Sequence, residues 1–365
     1  MSKDFLFLSF TCVLVFLSAC NKSELSENQL RESSTPINNI FEDASTAALY
    51  ENDSTWKYEI LLDNRAKSID IPKNRLPLKN LAVFSASSIG YLEALDELKA
   101  IKGIYDSQWI YSPNLHQLIN ENPELDQGNL ATLSLEGILA LNPDAIIGYS
   151  DPNMTKTYQM LEKAGILVIY IDEYNETTPL GKAELIKLYG VLTGKQQQAD
   201  ELYNEIRTTY LKYKNLARKQ DSKPSVFADI MRGDIWYMPG GNSFAAQYFH
   251  DAGGAYVWSN NEQSGSIKLN FEQVYELAAD ADIWMNVADL KSLSQVQQAY
   301  INHDWFKAFK KGQVYSLAHR MNSAGANDYF ETGSVRVDWV LKDLVSIFHP
   351  KLIPNHTLYF YEKLK

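Results

Sequence analysis

Two stretches far apart in this chain carry the same pattern, and that echo constrains the fold more than any other feature. The first runs Ser134-Leu135-Glu136 and then Ala140-Leu141-Asn142-Pro143-Asp144-Ala145-Ile146-Ile147. The second runs Asn270-Phe271-Glu272 and then Leu277-Ala278-Ala279-Asp280-Ala281-Asp282-Ile283. In each, a residue with N-cap chemistry precedes an apolar residue and a Glu. In each, an Asp stands eight residues after that Glu, ahead of a strand-like run. A repeated helix-to-strand unit predicts two similar lobes. The Glu falls in the first helical turn, where an exposed carboxylate stabilises the helix by roughly 0.3–1 kcal/mol. Either Glu alone reads as helix-end stabilisation; the pair, at equivalent places, reads as a paired acidic contact.

The segments around the echo alternate between strand and helix. Leu81–Phe84, Ala145–Gly148 and Leu167–Ile171 read as buried strands, with helices over about 89–99, 130–141 and 158–164. Pro143 and Gly165 stop the second and third helices. This alternation predicts a mainly parallel sheet covered on both faces. From about Gly181 to Lys219 the pattern is helical only, interrupted at Gly194. Ala199, Leu202, Tyr203, Ile206, Tyr210 and Tyr213 form one buried stripe there. After Pro224 the alternation resumes. Strands are expected over 225–230, 235–238, 281–285 and 313–316, and helices over 244–252 and about 334–348. The fold class is therefore α/β: residues 56–180 form one lobe, 181–220 a helical span, and 221–365 a second lobe.

At the N-terminus, Lys3 precedes an apolar run from Phe5 to Leu17 that suits a signal-peptide core better than a membrane span. It ends Leu17-Ser18-Ala19-Cys20, which resembles a bacterial lipobox. Residues 1–19 are thus expected to be cleaved and Cys20 to be lipidated. Residues 20–55, rich in Ser, Asn, Glu and Thr, read as a solvated tether from a membrane.

Both cysteines, Cys12 and Cys20, lie in the first twenty residues, so the body has neither a disulfide nor a thiolate metal site. The net charge of −11 and the lack of a basic block argue against nucleic acid as a partner.

The chain resembles the ABC-importer solute-binding proteins for ferric siderophores, haem and vitamin B12. The resemblance covers roughly residues 75 to 350. It rests on Ala82-Val83-Phe84-Ser85, on the segment from Ser134 to Asp144, on Met238-Pro239-Gly240-Gly241-Asn242-Ser243-Phe244, and on Leu269-Asn270-Phe271-Glu272. The stretch from Asn327 to Gly333, with His349-Pro350, is similar to a Bacteroidetes branch of that family. The resemblance implies two doubly wound lobes joined by a long interdomain helix, with a ligand cleft between them. It implies a periplasmic, lipid-anchored monomer, with no resident cofactor, that passes a metal chelate to an inner-membrane permease and its ATPase. It also implies one docking Glu per lobe, and Glu136 and Glu272 stand where the motif places them.

Ligands of open parallel sheets sit beyond the carboxyl ends of the strands. That rule nominates Ser85, Ser87, Trp109, Tyr111, Tyr149, Ser150 and Tyr174 in the first lobe. In the second it nominates Arg232, Asn286, Arg320, Asn327 and Tyr329. Aromatic side chains suit a flat or apolar chelate, and Arg suits an anionic rim. The plainer alternatives are rim packing for Trp109 and Tyr149 and structural ion pairs for Arg232 and Arg320. Trp236 reads as sheet packing and is left out.

Other functions fit less well. A hydrolase lacks its Gly-x-Ser-x-Gly elbow here, although the many carboxylates leave an acid/base pair open. A free-metal receptor wants converging His and carboxylates, and the six His residues form no close pair. His319, beside Arg320, is a candidate haem ligand that reads more simply as a polar loop residue. A purely adhesive surface lipoprotein leaves the echo unexplained. No catalytic residue is assigned.

Overall fold

From Asn38 onward, where the sequence still predicts a tether, the chain is folded. The computed structural model describes residues 38–62 and 65–365; the leader, Cys20 and the start of the tether lie outside them. Strands β1 (Ala47–Glu51), β2 (Thr55–Leu62) and β3 (Arg65–Pro72) pair as an antiparallel meander. Register sets Trp56 opposite Ile71 and Tyr58 opposite Ile69, and all four side chains are buried. The tether reading therefore fails for residues 38–55. Its polar composition conceals the reason, which is that two buried carboxylates satisfy the backbone of this stretch. Glu184 accepts from the N–H groups of Glu42, Asp43 and Ala44 at 2.7–3.0 Å. Glu176 accepts from those of Ser45 and Thr46 at 2.8 and 3.0 Å. Paired in this way, such groups escape the cost of desolvation.

The first lobe follows as β4 (Leu81–Val83), α1 (Ala86–Ala94), β5 (Ile101–Ile104), α2 (Pro113–Glu121), α3 (Leu135–Leu141), β6 (Ala145–Gly148), α4 (Thr155–Lys163) and β7 (Leu167–Tyr170). Its sheet is parallel throughout, in the order β5-β4-β6-β7. Every residue of β4 and β6 is buried, as a sheet covered on both faces requires.

The helical span comprises α5 (Pro179–Glu184), α6 (Ile186–Thr193) and α7 (Gln196–Arg218). Gly194, at φ 74°, closes α6 in the left-handed conformation that glycine adopts without strain. The 23 residues of α7 make a rod of about 35 Å at 1.5 Å per residue. It buries Ala199, Tyr203, Ile206, Tyr210 and Ala217, while Leu202 and Tyr213 of the expected stripe are half-buried. Near its middle the rod is bonded to segments on either side of it in the chain. Arg207 Nε donates to Asp43 at 2.7 Å, and Tyr210 donates to Asp251 at 2.7 Å.

The second lobe holds β8 (Ser225–Ala228), β9 (Met231–Arg232), β10 (Ile235–Pro239), α8 (Phe244–Asp251), β11 (Ala255–Tyr256), β12 (Ser266–Leu269), α9 (Phe271–Ala278) and β13 (Ile283–Met285). It continues with α10 (Leu293–Ala299), α11 (Lys307–Lys310), β14 (Tyr315–Ser316), α12 (Thr332–Val335), α13 (Val337–Phe348) and β15 (Glu362–Lys363). Strands β11-β8-β13 are parallel; β12-β10-β9 and β14-β15 are separate antiparallel ribbons. The strand expected over 225–230 stops at Ala228, because Asp229 turns the backbone to φ 60°. Phe227, Trp236, Trp284 and Phe306 form the core, and Trp236 Nε1 donates to the Ala228 carbonyl at 2.9 Å. Helix α12 crosses back onto α1, where the Glu331 backbone lies so close to Gly90 that a Cβ there would collide with it.

Candidate functional site

The carboxyl ends of β4, β6 and β7 open onto a recess of about 400 Å³. Ser85, Tyr149, Ser150, Asp151, Pro152, Glu173 and Tyr174 line it. Four of these were expected from the sequence. Asp151, Pro152 and Glu173 were missed, although Asp151 and Glu173 each adjoin a nominated residue. The Ser150 N–H and hydroxyl both donate to Asp172 at 2.6 Å, which fixes the loop after β6 against the end of β7. Ser85 and Ser87 share a hydrogen bond at 2.8 Å. Burial raises the Glu173 carboxyl above its ordinary pKa, against the opposing pull of Lys182. Burial and the nearby Asp151 raise Tyr149 in the same way. Tyr174 is 56% exposed, so its ring is free to cover a ligand. A floor of hydroxyls and carboxylates below tyrosine faces can hold a polar, donor-bearing molecule and stack its flat parts.

The remaining first-lobe candidates stand on the loop after β5 and meet the other half of the chain there. Trp109 is 57% exposed, with its ring beside Gly325. The Tyr111 N–H donates to Glu331, and the Ser112 N–H donates to the same carboxylate at 3.0 Å. Burial pushes Glu331 up to about 8 despite these two donors.

The second-lobe candidates do not line the recess. Arg320 Nε lies 2.5 Å from Asp328, and its guanidinium sits between the rings of Tyr111 and Tyr359, at 5.1 and 4.3 Å. It is an ion-paired joint between the halves. The Asn327 amide is engaged with the Leu317 carbonyl at 2.8 Å and the Tyr329 N–H at 3.0 Å. Tyr329 packs against Phe330 and Phe360. Arg232 is exposed on β9, and His319 is exposed on its turn. Asn286 takes φ 56° at the end of β13, and its Oδ1 is buried without a partner among the described residues. Beside it, at the end of β8, Asp229 is pushed up to about 7 by burial, with Arg232 opposing. The sequence reading missed Asp229 because it ran the strand through it. Among the described residues, no group of three or more His, Cys, Asp or Glu stands where it could hold a metal ion.

The echoed glutamates stay on the surface. Glu136 lies in the first turn of α3, capped by Ser134, whose Oγ accepts from the Gly137 N–H at 2.9 Å. Glu272 lies in the first turn of α9, where Asn270 and Gln273 form a capping box.

These elements define a class: a two-lobed α/β receptor whose halves are joined by a long helix and whose recess opens beyond the strand ends. The family model for periplasmic binding proteins matches residues 81–321, and the chain belongs to that family. It is a solute-binding protein and not an enzyme. An uncharacterized lipoprotein of Methanocaldococcus jannaschii is 26% identical, over 86% of this chain and 80% of its own length. Two solved structures share the fold. A periplasmic heme binding protein from Pseudomonas aeruginosa has a TM-score of 0.58 at 19% identity, covering 79% of this chain and 98% of that one. An ABC-type Fe3+-hydroxamate transport system protein from Saccharomonospora viridis has a TM-score of 0.58 at 18% identity, covering 78% and 96%.

Proposed function

We propose that this chain is the lipid-anchored solute-binding component of an ABC importer. It takes a large metal chelate (a ferric siderophore, cobalamin or haem) and passes it to the membrane permease. The observation that carries this reading is the recess beyond β4, β6 and β7, floored by Ser85 and Glu173 and flanked by Tyr149 and Tyr174. A tyrosine-flanked recess suits a bulky, partly flat guest. The heme-binding and Fe3+-hydroxamate proteins of like fold support the ligand class. In this reading the lobes are 56–180 and 221–365, joined by the helical span 181–220, and the ligand cleft lies between them. Because α7 is one continuous rod of 23 residues, closure on a ligand is small. Glu136 and Glu272 are the permease-docking residues, and Cys20 carries the anchor.

Calorimetric titration with ferrioxamine B, cyanocobalamin and haem tests the reading, alongside turnover assays on ester and glycoside substrates. Saturable binding of one chelate without turnover supports it. No binding with measurable hydrolysis overturns it.

A further inference from the structure

A second recess of about 540 Å³ lies behind the first. The two share Ser150, Asp151 and Pro152, so this short loop is the partition between them. The far wall of the second recess is Lys67 of β3, in the meander that precedes the family-matched span of 81–321. The first recess is therefore built wholly from the family's lobe, whereas the second needs a segment outside it.

Among the described residues, Lys67 is the only cation lining this space, alongside the carboxylates Asp151 and Glu162. Its ammonium rests 2.9 Å from the centroid of the Tyr170 ring, and among the described residues it makes no ion pair. The neighbouring carboxylates have other donors: Glu162 accepts from the Tyr170 hydroxyl at 3.2 Å, and Asp151 accepts from the Asn153 N–H at 2.9 Å. Tyr158, buried in the same wall, holds its hydroxyl without a hydrogen-bond partner among the described residues. An ammonium with no ion pair and a buried hydroxyl with no partner among the described residues both favour an acceptor in this recess. Burial lowers the Lys67 pKa, with Glu162 and Asp172 opposing, in keeping with an ammonium partly withdrawn from water.

We propose that the ligand carries an anionic arm, a carboxylate or phosphate, that passes the Ser150–Pro152 partition and ends on Lys67 in the second recess. This rests on the chelate-binding reading and extends it, making β3 a determinant of which chelate is accepted.

The test titrates wild type, Lys67→Ala, Lys67→Glu and the control Lys57→Ala with haem, cyanocobalamin and ferrioxamine B. Haem presents carboxylates, cyanocobalamin a phosphodiester, and ferrioxamine B no anionic arm. Wild type is expected to prefer haem or cyanocobalamin, and which of the two it prefers distinguishes carboxylate from phosphate. Lys67→Ala then weakens that chelate at least tenfold, Lys67→Glu weakens it further, and Lys57→Ala leaves it unchanged. Wild-type preference for ferrioxamine B, or Lys67 variants within twofold of wild type, overturns the proposal. Wild type binding none of the three overturns the chelate reading itself, and the arm with it, before any variant is compared.

Discussion

Asp144 and Asp282 do the same work in the two lobes: each clasps the backbone that enters the neighbouring strand. Asp144 Oδ2 accepts from the N–H groups of Lys79 and Asn80, at 2.8 and 2.9 Å, just ahead of β4. Asp282 Oδ2 accepts from the Ser225 N–H and hydroxyl, both at 2.9 Å, at the start of β8. The backbones cross-bond in the same sense, with the Asp144 N–H on the Asn80 carbonyl and the Asp282 N–H on the Ser225 carbonyl. Counting along the sequence pairs Asp144 with Asp280 instead. Helix α9 and the turn that follows it are each one residue longer than their counterparts at α3, and the true equivalents are the residues directly before β6 and β13.

Asp282→Ala is expected to cost about 1–3 kcal/mol, because the Ser225 N–H loses its acceptor in a half-buried strand end. Burial opposes ionisation of Asp282, but Lys307 and the two Ser225 donors outweigh it and leave the folded pKa below the ordinary value. A carboxylate with a depressed folded pKa adds stability above its unfolded pKa and loses it as pH falls through the folded one. Wild type should therefore lose this increment on acidification below about pH 4, and the variant should lack it. Urea denaturation at several acidic pH values measures the difference.

Glu331 has the opposite sign. Its folded carboxyl titrates near 8, against an ordinary value of 4.5. The folded state therefore holds the proton more tightly. The associated stability is full below the unfolded pKa and is lost as pH rises through about 8. Denaturation midpoints should fall as pH rises from about 5 to about 8 in wild type. Glu331→Gln should flatten that slope, leaving the share contributed by Asp229, which titrates near 7.

Glu136→Lys with Glu272→Lys is expected to leave chelate affinity within twofold of wild type, since both residues lie in exposed first helical turns outside the recess. The same pair should abolish uptake in cells. Uptake at the wild-type rate would remove the docking assignment.

Much of this architecture was legible because it is written in short-range patterns. The parallel first-lobe sheet, the break at Gly194, the stripe on α7 and the paired glutamates follow from apolar period, caps and repetition. The meander was not read, although Trp56, Tyr58 and Ile60 alternate with polar residues. The polar stretch ahead of it concealed that Glu176 and Glu184, far along the chain, would satisfy its backbone. The site was half legible for a related reason. Proximity to strand ends found Ser85, Tyr149, Ser150 and Tyr174. Nothing local announces that Arg320 is committed to Asp328 and two aromatic rings, or that Asp229 ends a strand in a left-handed turn.

Tyr149→Ala and Tyr174→Ala are expected to weaken the bound chelate by about tenfold each, in line with roughly 1–3 kcal/mol for an aromatic contact to a flat guest. Melting temperature should hold for Tyr174→Ala, whose ring is largely exposed.

Amide hydrogen exchange with and without saturating chelate addresses the central claim most directly. The account predicts protection at Ser85–Ser87, Tyr149–Asp151 and Glu173–Tyr174, with the first turns of α3 and α9 unchanged. Protection confined to the α3 and α9 surfaces, or none at the recess under saturating ligand, would contradict it.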